Sequence, residues 1–345
     1  MSPKTSSDLN PGHILQIGMA FFASKCLLSA VELDLFTRLG DKALTAEELR
    51  KLLDLHPRAV PDFPDALVAL GLLARDGDGP DARYRNTPEC AHFLDRTKPS
   101  YIGGILEMAN NRLYPFWASL TEGLRTGQQQ NEVKHTGKPL FEVLYEDPAR
   151  LEEFMKGMSG ISRGNFRTLA EKFDFSRART LLDVGGASGE LSIAVAARHP
   201  HMRCISADLA PVEPIARRRI EEEGLSDRIS TAVLDFLADP FPQADVVTMS
   251  LVLHDWGLER KLLLMKKAHD ALPEGGAFIA IDHLIDDARR HNAFGLLMSL
   301  NMLIECGDGF DYTAADFRRW AKEVGFSRVE VLPLGGPASA VIAYK

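Results

Sequence analysis

Short apolar runs alternate with amphipathic stretches throughout the second half of the chain. The runs that predict strands lie at 180–184, 203–207, 229–234, 245–251 and 277–282. The patterns that predict helices lie at 189–198, 211–223, 258–271 and 314–324. Because strands separated by helices pair in parallel, this order predicts an α/β sheet with helices on both faces. Two last strands, 328–334 and 339–344, flank a Gly-Gly-Pro turn and predict a hairpin, so we expect the sheet to close with an antiparallel edge.

Residues 13–40 carry apolar side chains at spacings near three and four, which predicts one strongly apolar helix or a helix pair. Phe21, Phe22, Leu28 and Val31 belong to this set, which holds more apolar positions than one helix face needs. Such a helix is deeply buried or covered by another chain, so we expect oligomerisation through this region. The polar residues within the segment make it too polar to span a bilayer comfortably.

The segment that follows has the order of a winged helix. Thr45 begins a capping box, and short helical patterns lie at 47–53 and 64–73. A turn cluster at 74–79 and an alternating stretch at 82–86 predict a hairpin. Winged helices often bind DNA, but acidic residues at the wing and a formal net charge of −8 argue against a nucleic-acid partner. We favour the alternative, a winged helix that serves as a dimerisation scaffold.

The length of 345 residues predicts two domains. The four cysteines are far apart and match no metal-binding spacing, and no His-Glu-X-X-His motif or carboxylate cluster indicates a metal. The N-terminus has no signal-peptide pattern, so we expect a reduced, cytoplasmic protein without a metal ion.

The segment around Gly185 has the features of a nucleoside-cofactor site. An apolar strand leads into Gly185, Gly186 and Gly189, so backbone N–H groups can approach a ligand closely, although the spacing differs from the dinucleotide fingerprint. Asp183 would repel a pyrophosphate but attract the sulfonium and ammonium of S-adenosylmethionine. Asp208 ends the next strand, where it suits the two hydroxyls of a ribose. For the glycines alone, an ordinary turn in an α/β domain is an equal alternative.

Ligands of an open α/β sheet bind beyond the C-terminal ends of its strands. There, Asp235 is placed to accept a hydrogen bond from an adenine amino group and Phe236 to lie against the ring, with an ordinary strand-end turn as an equal alternative. His254 ends an apolar run beside Asp255 and Trp256. Histidine titrates near neutrality, so His254 is our candidate for the base that removes a proton from a phenol during methyl transfer. A satisfied core histidine is the alternative.

Two acids are candidates to assist His254. Asp282 ends the fifth strand, and Asp311 lies in the loop before the last helix. A carboxylate on the second ring nitrogen would fix the tautomer and stabilise the imidazolium. Each acid taken singly has a cap or a solvated turn as its alternative, because Thr313 and Asp316 already account for the helix start.

Residues 101–175 predict helices rich in aromatic and methionine side chains, which adapt to flat apolar ligands. Core packing is the alternative for most of them. The side chains that we assign to a pocket for the methyl acceptor, two of them from a later segment, are Phe116, Trp117, Phe154, Met155, Met158, Met298 and Met302.

In these motifs the chain resembles the S-adenosylmethionine-dependent O-methyltransferases that include plant caffeic acid enzymes, animal acetylserotonin enzymes and bacterial natural-product relatives. The motifs that carry the resemblance, in chain order, are 21–36, 182–189, Asp208, Asp235-Phe236 and 253–256. The resemblance implies a class I methyltransferase Rossmann-like sheet with an antiparallel last strand, joined to an N-terminal winged-helix dimerisation domain. It also implies homodimers whose N-terminal helices interlock.

The resemblance assigns roles to individual residues. His254 matches the general base, and Asp282 and Asp311 stand where plant members have two glutamates that flank it. Ser250 replaces a lysine or arginine found in many relatives, so a cofactor or carboxylate contact is missing or supplied elsewhere. The residues that we predict to contact S-adenosylmethionine are Asp183, Gly185, Gly186, Gly189, Asp208, Leu209, Asp235, Phe236, Ser250, Asp255 and Trp256.

The sequence therefore predicts a winged-helix dimerisation domain at 1–100, a helical linker and pocket segment at 101–175, and a cofactor-binding catalytic domain at 176–345. We expect a homodimeric O-methyltransferase for a small aromatic acceptor, with neither a nucleic-acid nor a membrane partner. Methylation of sulfur or carbon on a small organic acid is one alternative. A non-catalytic cofactor-binding regulator is another; the intact His254 favours an enzyme, and the acidic wing disfavours the regulator.

Overall fold

The computed structural model describes residues 9–138 and 140–345, and the chain divides into two compact units. The first unit runs through Leu113, and the second comprises Tyr114–Lys345. Each unit has buried apolar side chains of its own, which include Leu35 and Phe36 in the first and Leu182 and Phe278 in the second.

The first unit is mainly helical. Its helices are α1 (Gly12–Gly18), α2 (Ala20–Glu32), α3 (Leu35–Leu39), α4 (Ala46–Leu52), α5 (Asp62–Ala69), α6 (Pro88–Phe93) and α7 (Gly103–Met108), followed by a π-helical turn at Ala109–Leu113. Its strands are β1 (Leu44–Thr45), β2 (Leu73–Asp76) and β3 (Arg83–Asn86). Both β1 and β2 pair antiparallel with β3, so the order of helix, helix and hairpin predicted for a winged helix is confirmed.

The start of α4 agrees with the predicted capping box, whereas the predicted end of the next helix is wrong. The Thr45 hydroxyl accepts a hydrogen bond from the Glu48 N–H, and the Glu48 carboxylate accepts one from the Thr45 N–H at 2.7 Å. The helix predicted through residue 73 stops at Ala69. Gly71 has a φ of +73°, a left-handed conformation that ends the helix, and the residues from Leu73 onward pair with β3 instead of forming a turn.

The apolar segment 13–40 forms three helices where one helix or a pair was expected. The left-handed Asp34, with a φ of 54°, separates α2 from α3. Every residue of α1 is exposed, and the side chains of Phe21 and Phe22 in α2 are 48% and 58% exposed. By length and composition alone, Gly12–Glu32 could cross a membrane, with a mean hydropathy of 1.7. The expectation that this stretch is too polar to do so therefore stays a prediction.

The second unit combines helices with one large sheet. Its helices are α8 (Tyr114–Trp117), α9 (Leu120–Thr126), α10 (Val133–Thr136), α11 (Leu140–Tyr145), α12 (Pro148–Lys172), α13 (Glu190–Arg198), α14 (Glu213–Glu222), α15 (Leu258–Ala271), α16 (Ala293–Cys306) and α17 (Ala314–Val324). Its strands are β4 (Thr180–Val184), β5 (Arg203–Asp208), β6 (Ile229–Val233), β7 (Val246–Ser250), β8 (Ala277–Asp282), β9 (Arg328–Pro333) and β10 (Ser339–Tyr344). The alternation predicted from the apolar runs is confirmed.

The sheet has the strand order β6-β5-β4-β7-β8-β10-β9 within the described residues. The first five strands in this order are parallel, and β10 lies antiparallel between β8 and β9. The predicted antiparallel last strand and the predicted antiparallel hairpin edge are both confirmed, with β9 as the edge strand and β10 inside it. Residues 340–343 of β10 are all buried, whereas β9 alternates between exposed and half-buried positions. A strand inside a sheet is buried on both faces, so the more apolar strand takes the inner position.

Candidate active site

The strand order reverses direction at β4, and this reversal creates a cleft at the C-terminal edge of the sheet. The chain runs outward from β4 through β5 to β6, and it returns to the other side of β4 with β7. Such a switch point is where open α/β sheets bind ligands. The residues that the strands deliver to this edge are Asp183, Gly185, Asp208, Ser250 and Asp282.

The glycine turn after β4 lies tightly against its neighbours. Gly185 has a φ of +69° and donates its N–H to the Ala207 carbonyl at 2.9 Å. A Cβ atom at Gly185 would lie 2.7 Å from Val252 Cγ2, so only glycine fits there. Gly189, with a φ of +79°, immediately precedes α13. Because its glycines have no side chains, the turn exposes its backbone to the cleft.

Asp208 is held by the backbone of the turns on both sides. Its carboxylate accepts hydrogen bonds from the Ala187 N–H at 2.9 Å and from the Leu209 N–H at 2.7 Å. Burial raises the pKa of Asp208, and these two donors act against the shift. Each carboxylate oxygen keeps a further lone pair, so the group can still accept two hydroxyl donors. Leu209 thus takes part through its backbone.

Asp183 presents an unsatisfied carboxylate oxygen. Its Oδ1 accepts a hydrogen bond from the Thr248 hydroxyl at 2.8 Å, while Oδ2 is buried and has no hydrogen-bond partner among the described residues. Burial raises the pKa of this carboxyl to about 7, with the charge of Asp208 adding to the shift and the Thr248 bond opposing it. Two buried acids close together favour a cationic ligand, because the cation would stabilise both in their ionised forms.

Residues 235 and 236 lie in a turn. The hydrogen bonds of Asp235 are those of the alternative interpretation, an ordinary turn at a strand end. Asp235 is exposed, and its Oδ1 accepts hydrogen bonds from the N–H groups of Leu237 and Ala238. The Phe236 ring lies edge-on to Trp256, with 6.1 Å between centroids. The Arg260 guanidinium lies over the Trp256 ring at 4.9 Å. Phe236 and Trp256 are therefore close together, while Asp235 stabilises its own turn.

His254 lies in a 3-10 turn after β7, buried between two acids. The ring is 5% exposed, with Nδ1 3.3 Å from Asp311 Oδ1 and Nε2 3.4 Å from Asp255 Oδ1. Burial by itself lowers the pKa of His254, but the charges of Asp255 and Asp311 outweigh it and raise the pKa to about 9. Asp255 lies against His254, and the Cys306 thiol lies 3.7 Å from its Oδ1; its predicted contact with the cofactor stays a prediction.

Asp282 has a different partner from the one expected. Its Oδ2 accepts a hydrogen bond from the Tyr312 hydroxyl at 2.5 Å, and no described ion pair joins it to His254. Burial raises the pKa of Asp282 to about 7, and the positive charge of His254 acts against that shift. Of the two acids predicted to assist His254, Asp311 is the one in contact with the ring, and Asp282 acts on it at longer range.

Lys261 is a buried residue of this site that the sequence analysis missed. Its ammonium donates to the carbonyl of Leu253 at 2.8 Å and to that of Trp256, the residues on either side of the His254–Asp255 pair. The side chain is 0% exposed, and burial lowers its pKa to about 8 against the pull of the surrounding carboxylates. A signal was present, since Lys261 falls on the apolar face of α15 that includes Leu264, Met265 and Ala268.

Tyr145 and His283 were also missed. Burial, together with the charges of Asp208 and Asp255, raises the pKa of the Tyr145 phenol. His283 follows Asp282 directly and is 8% exposed. Neither has a local pattern that distinguishes it from a core residue, and His283 meets His254 and Asp311 only through the tertiary fold.

The predicted pocket residues separate into two groups. Trp117 on α8 donates its indole N–H to Asn301 Oδ1 on α16 at 2.8 Å, and α16 also carries Met298 and the buried Met302. The half-buried Phe116 adjoins Trp117 on α8. Phe154 and Met155 on α12 pack instead with Ala187 of the glycine turn and with Val212, so they lie beside that turn. Met158, half-buried, is on the same helix.

Two family models match the chain, that of the O-methyltransferase domain over residues 117–327 and that of the O-methyltransferase dimerisation domain over residues 15–96. Tetracenomycin polyketide synthesis 8-O-methyl transferase TcmO of Streptomyces glaucescens is 42% identical over 335 residues, which cover 97% of either chain. N,N-dimethyltransferase OxyT of Streptomyces rimosus is 37% identical, over 91% of this chain and 90% of its own. The crystal structure of human N-acetylserotonin methyltransferase in complex with SAM superposes with a TM-score of 0.90 at 25% identity, over 99% of both chains.

Proposed function

The chain belongs to the family of S-adenosylmethionine-dependent O-methyltransferases, and from that premise we propose that it methylates a hydroxyl of a small aromatic polyketide with His254 as the general base. The family, the cofactor and the type of enzyme are those expected from the sequence, and the prediction of a methyltransferase is confirmed. The regulator alternative is set aside, since the relatives are enzymes by name.

The residues of the glycine turn fit the cofactor. S-adenosylmethionine supplies a methyl group on a sulfonium, which makes it open to attack by a nucleophile. Asp208 is placed to accept the two ribose hydroxyls, and the unsatisfied Oδ2 of Asp183 provides the negative charge that a cation requires. Gly185 and Gly186 keep the backbone accessible beside these acids. The geometry and charge of four predicted cofactor residues therefore suit S-adenosylmethionine; these are Asp183, Gly185, Gly186 and Asp208.

His254 accepts the proton of the attacking hydroxyl in this proposal. The imidazolium formed is stabilised by Asp311 at 3.3 Å and by the more distant Asp282. A positioned base contributes roughly two to four orders of magnitude to the rate. The observation that carries the proposal is this buried His254–Asp311 pair at the C-terminal edge of the sheet, next to the glycine turn.

The acceptor class rests on the relatives and on the pocket. TcmO, 42% identical over nearly the whole chain, is named for 8-O-methylation in polyketide synthesis. Trp117, Met298 and Met302 provide apolar surface suited to a flat ring system. OxyT is named as an N,N-dimethyltransferase, so methylation of an amine on a similar ring system is the second candidate.

We assign the dimer contact to the N-terminal helices. The dimerisation-domain match covers residues 15–96. Within that range, α2 exposes the large apolar side chains of Phe21 and Phe22, and α1 before it exposes Ile14 and Leu15. Contiguous apolar surface of this kind marks an interaction site, and a second copy of the chain would cover it.

A screen with methyl-labelled S-adenosylmethionine tests the function. Purified protein is incubated with polyhydroxylated naphthalenes, anthracenes and tetracenes and with their amino analogues, and products are identified by mass spectrometry. We expect the label on a phenolic oxygen. The Asp208→Ala variant is the control, because it should bind the cofactor weakly and give no product. Label on nitrogen alone would favour the second candidate, and label on neither atom would reject both.

A further inference from the structure

Among the active-site residues that leave buried polar atoms without a hydrogen bond, three lie close to one another. Within the part of the chain that the structure describes, His283 Nδ1 and Asp311 Oδ2 have no hydrogen bond, and His254 Nδ1 and Asp311 Oδ1 have only their mutual ion-pair contact at 3.3 Å. One nitrogen or oxygen from each of the three residues lies within 4.8 Å of the others. An unsatisfied buried polar group is costly, so such a cluster indicates a site that a ligand completes.

His283 contributes an uncharged group to this cluster. Burial lowers its pKa to about 4, helped by the positive charge of His254 and opposed by Asp311. A neutral imidazole has one N–H donor and one bare nitrogen acceptor, so His283 can bind a hydroxyl or a carbonyl oxygen without competing for the proton that His254 takes. Its role is therefore distinct from that of the base.

The backbone holds His283 in place. The next residues pair with the Asp311 segment, since the Ile285 N–H donates to the Tyr312 carbonyl at 2.9 Å. A Cβ atom at Gly295 would lie 2.8 Å from the His283 carbonyl, so α16 approaches the chain closely there. The ring of Phe294 lies edge-on to the imidazole, with 5.0 Å between centroids. These contacts preorganise His283 before any ligand arrives.

We propose that His283 binds a second oxygen of the acceptor, on the carbon next to or peri to the one whose hydroxyl is methylated. Two oxygens in that relation lie ~2.5–3 Å apart, as in an O–H···O hydrogen bond, which allows one to face His254 and the other His283. The inference rests on the proposed function and narrows it. It specifies an aromatic acceptor with paired oxygens, and it gives His283 the role of selecting among phenols.

A divalent metal is the competing occupant, since two imidazoles and a carboxylate also suit zinc. The organic acceptor is favoured because the acids beside His254 keep its ring protonated, with a pKa of about 9, and a metal would have to displace that proton to bind. A ring nitrogen bound to a metal would also be lost to proton transfer. Metal binding is therefore one outcome of the test.

The experiment compares matched acceptors on matched variants. The probes are 1,8-dihydroxynaphthalene and 1-naphthol, which differ only in the second oxygen. His283→Phe keeps a ring and removes the hydrogen bond, His283→Asn keeps a donor and an acceptor, and His291→Phe is the control at an exposed histidine. Both kcat/KM and the acceptor Kd, the latter by calorimetry with S-adenosylhomocysteine present, are measured for each pair.

We expect His283→Phe to lower kcat/KM and raise Kd for the diol by about 10- to 100-fold, the usual cost of losing a buried hydrogen bond, with less than a twofold change for 1-naphthol. His283→Asn should restore part of the loss, and His291→Phe should match the wild type. Equal losses for both probes, or an unchanged preference for the diol, would overturn the inference.

The two readouts separate this inference from the proposed function. Diol-selective binding that depends on His283 in a protein that transfers no methyl group would support the inference while rejecting the function. Methylation that does not depend on His283 would support the proposed function while rejecting the inference. Submicromolar Zn²⁺ binding to the metal-free protein that is lost in His283→Phe and competes with the diol would assign the cluster to a metal and contradict the inference.

Discussion

At the residue scale, the site is a buried group of charges that determine one another's protonation. His254 lies between Asp311 and Asp255, and the ammonium of Lys261 holds the turn on which it stands. Since the acids raise the pKa of His254 to about 9, the imidazole of the unliganded protein is charged at neutral pH. The base form of the enzyme therefore increases as pH rises.

The pH dependence of methyl transfer tests this charge balance. In the proposed mechanism the active form has a neutral His254, so kcat/KM should rise with pH up to about 9 and then level off. Replacing Asp311 by asparagine removes negative charge, lowers the pKa of His254 and should move the rising limb to lower pH. Rates are measured from pH 6 to 10, with Asp174→Asn as a remote control. If the rising limb of the pH–rate profile does not move in Asp311→Asn, Asp311 does not influence the pKa of His254.

Lys261 is expected to stabilise the catalytic turn. In Lys261→Met, the carbonyls of Leu253 and Trp256 lose their buried donor, so the free energy of unfolding should fall by about 1–3 kcal/mol. Lys266→Met, on the exposed side of the same helix, should change it by less than about 0.5 kcal/mol. Urea denaturation measures both variants. Equal stability in the two would show that the buried ammonium has no structural role.

The sequence predicts residues whose position follows from a strand end, and it misses those brought together by tertiary pairing. Asp183, Asp208 and His254 each end an apolar run, so the rule for parallel sheets places them at one edge. His283 reaches the cluster because Ile285 pairs with the segment at Tyr312, a contact without a local pattern. Asp235 also follows a strand end, but its side chain accepts hydrogen bonds within its own turn.

At the element scale, the glycine turn and the helices around it together form the proposed cofactor site. The hydroxyls of Ser159 on α12 and Ser188 in the turn lie 2.5 Å apart, and Glu190 at the start of α13 receives a hydrogen bond from Arg219 at 2.9 Å. These contacts fix the position of the turn, whose small residues make few side-chain contacts of their own. The shape of the cleft thus depends on neighbouring elements as much as on the glycines.

Gly186→Ala should weaken cofactor binding. A Cβ atom there would lie 3.2 Å from Asp183 Oδ2, the unsatisfied oxygen, and would also clash with the Ser206 hydroxyl. We expect the Kd for S-adenosylmethionine to rise by about 10-fold or more, corresponding to at least about 1.4 kcal/mol. Gly164→Ala, in α12 with open space around it, is the control and should bind normally. Calorimetry decides; equal affinities would place the cofactor away from this turn.

The order of the last two strands shows what element patterns leave undetermined. The hairpin of β9 and β10 was predictable from two apolar runs and a turn, but a hairpin has two possible inner strands. The four consecutive buried residues of β10 against the alternating pattern of β9 distinguish them. The end of α5 was missed for a related reason, because strand pairing of Leu73 overrode its apolar helical spacing.

At the scale of the whole molecule, the exposed apolar surface of α1 and α2 is the surface through which we expect the protein to assemble. A stretch of this composition could be covered by a second copy of the chain or by a membrane. The dimerisation-domain match over residues 15–96 favours the second copy. The polar residues within the stretch, among them Gln16 and Lys25, are also easier to accommodate at a protein interface than inside a bilayer.

Removing two aromatic rings should weaken the dimer. Replacing Phe21 and Phe22 together by serine removes apolar area worth about 1.5–3 kcal/mol for each fully buried ring, so the dimer dissociation constant should rise by at least about 100-fold. Leu263→Ser, at an exposed leucine of α15, is the control. Sedimentation equilibrium measures the constants. A monomeric wild type that floats with liposomes would contradict the dimer and favour the membrane.

The central claim, that His254 removes the acceptor proton beside a cofactor bound at the glycine turn, is tested most directly by single-turnover methyl transfer in His254→Ala. Transfer from labelled S-adenosylmethionine to the best phenolic acceptor is timed, and cofactor affinity is measured on the same preparation. We predict a rate lower by roughly two to four orders of magnitude with cofactor affinity close to that of the wild type. An unchanged transfer rate would contradict the account.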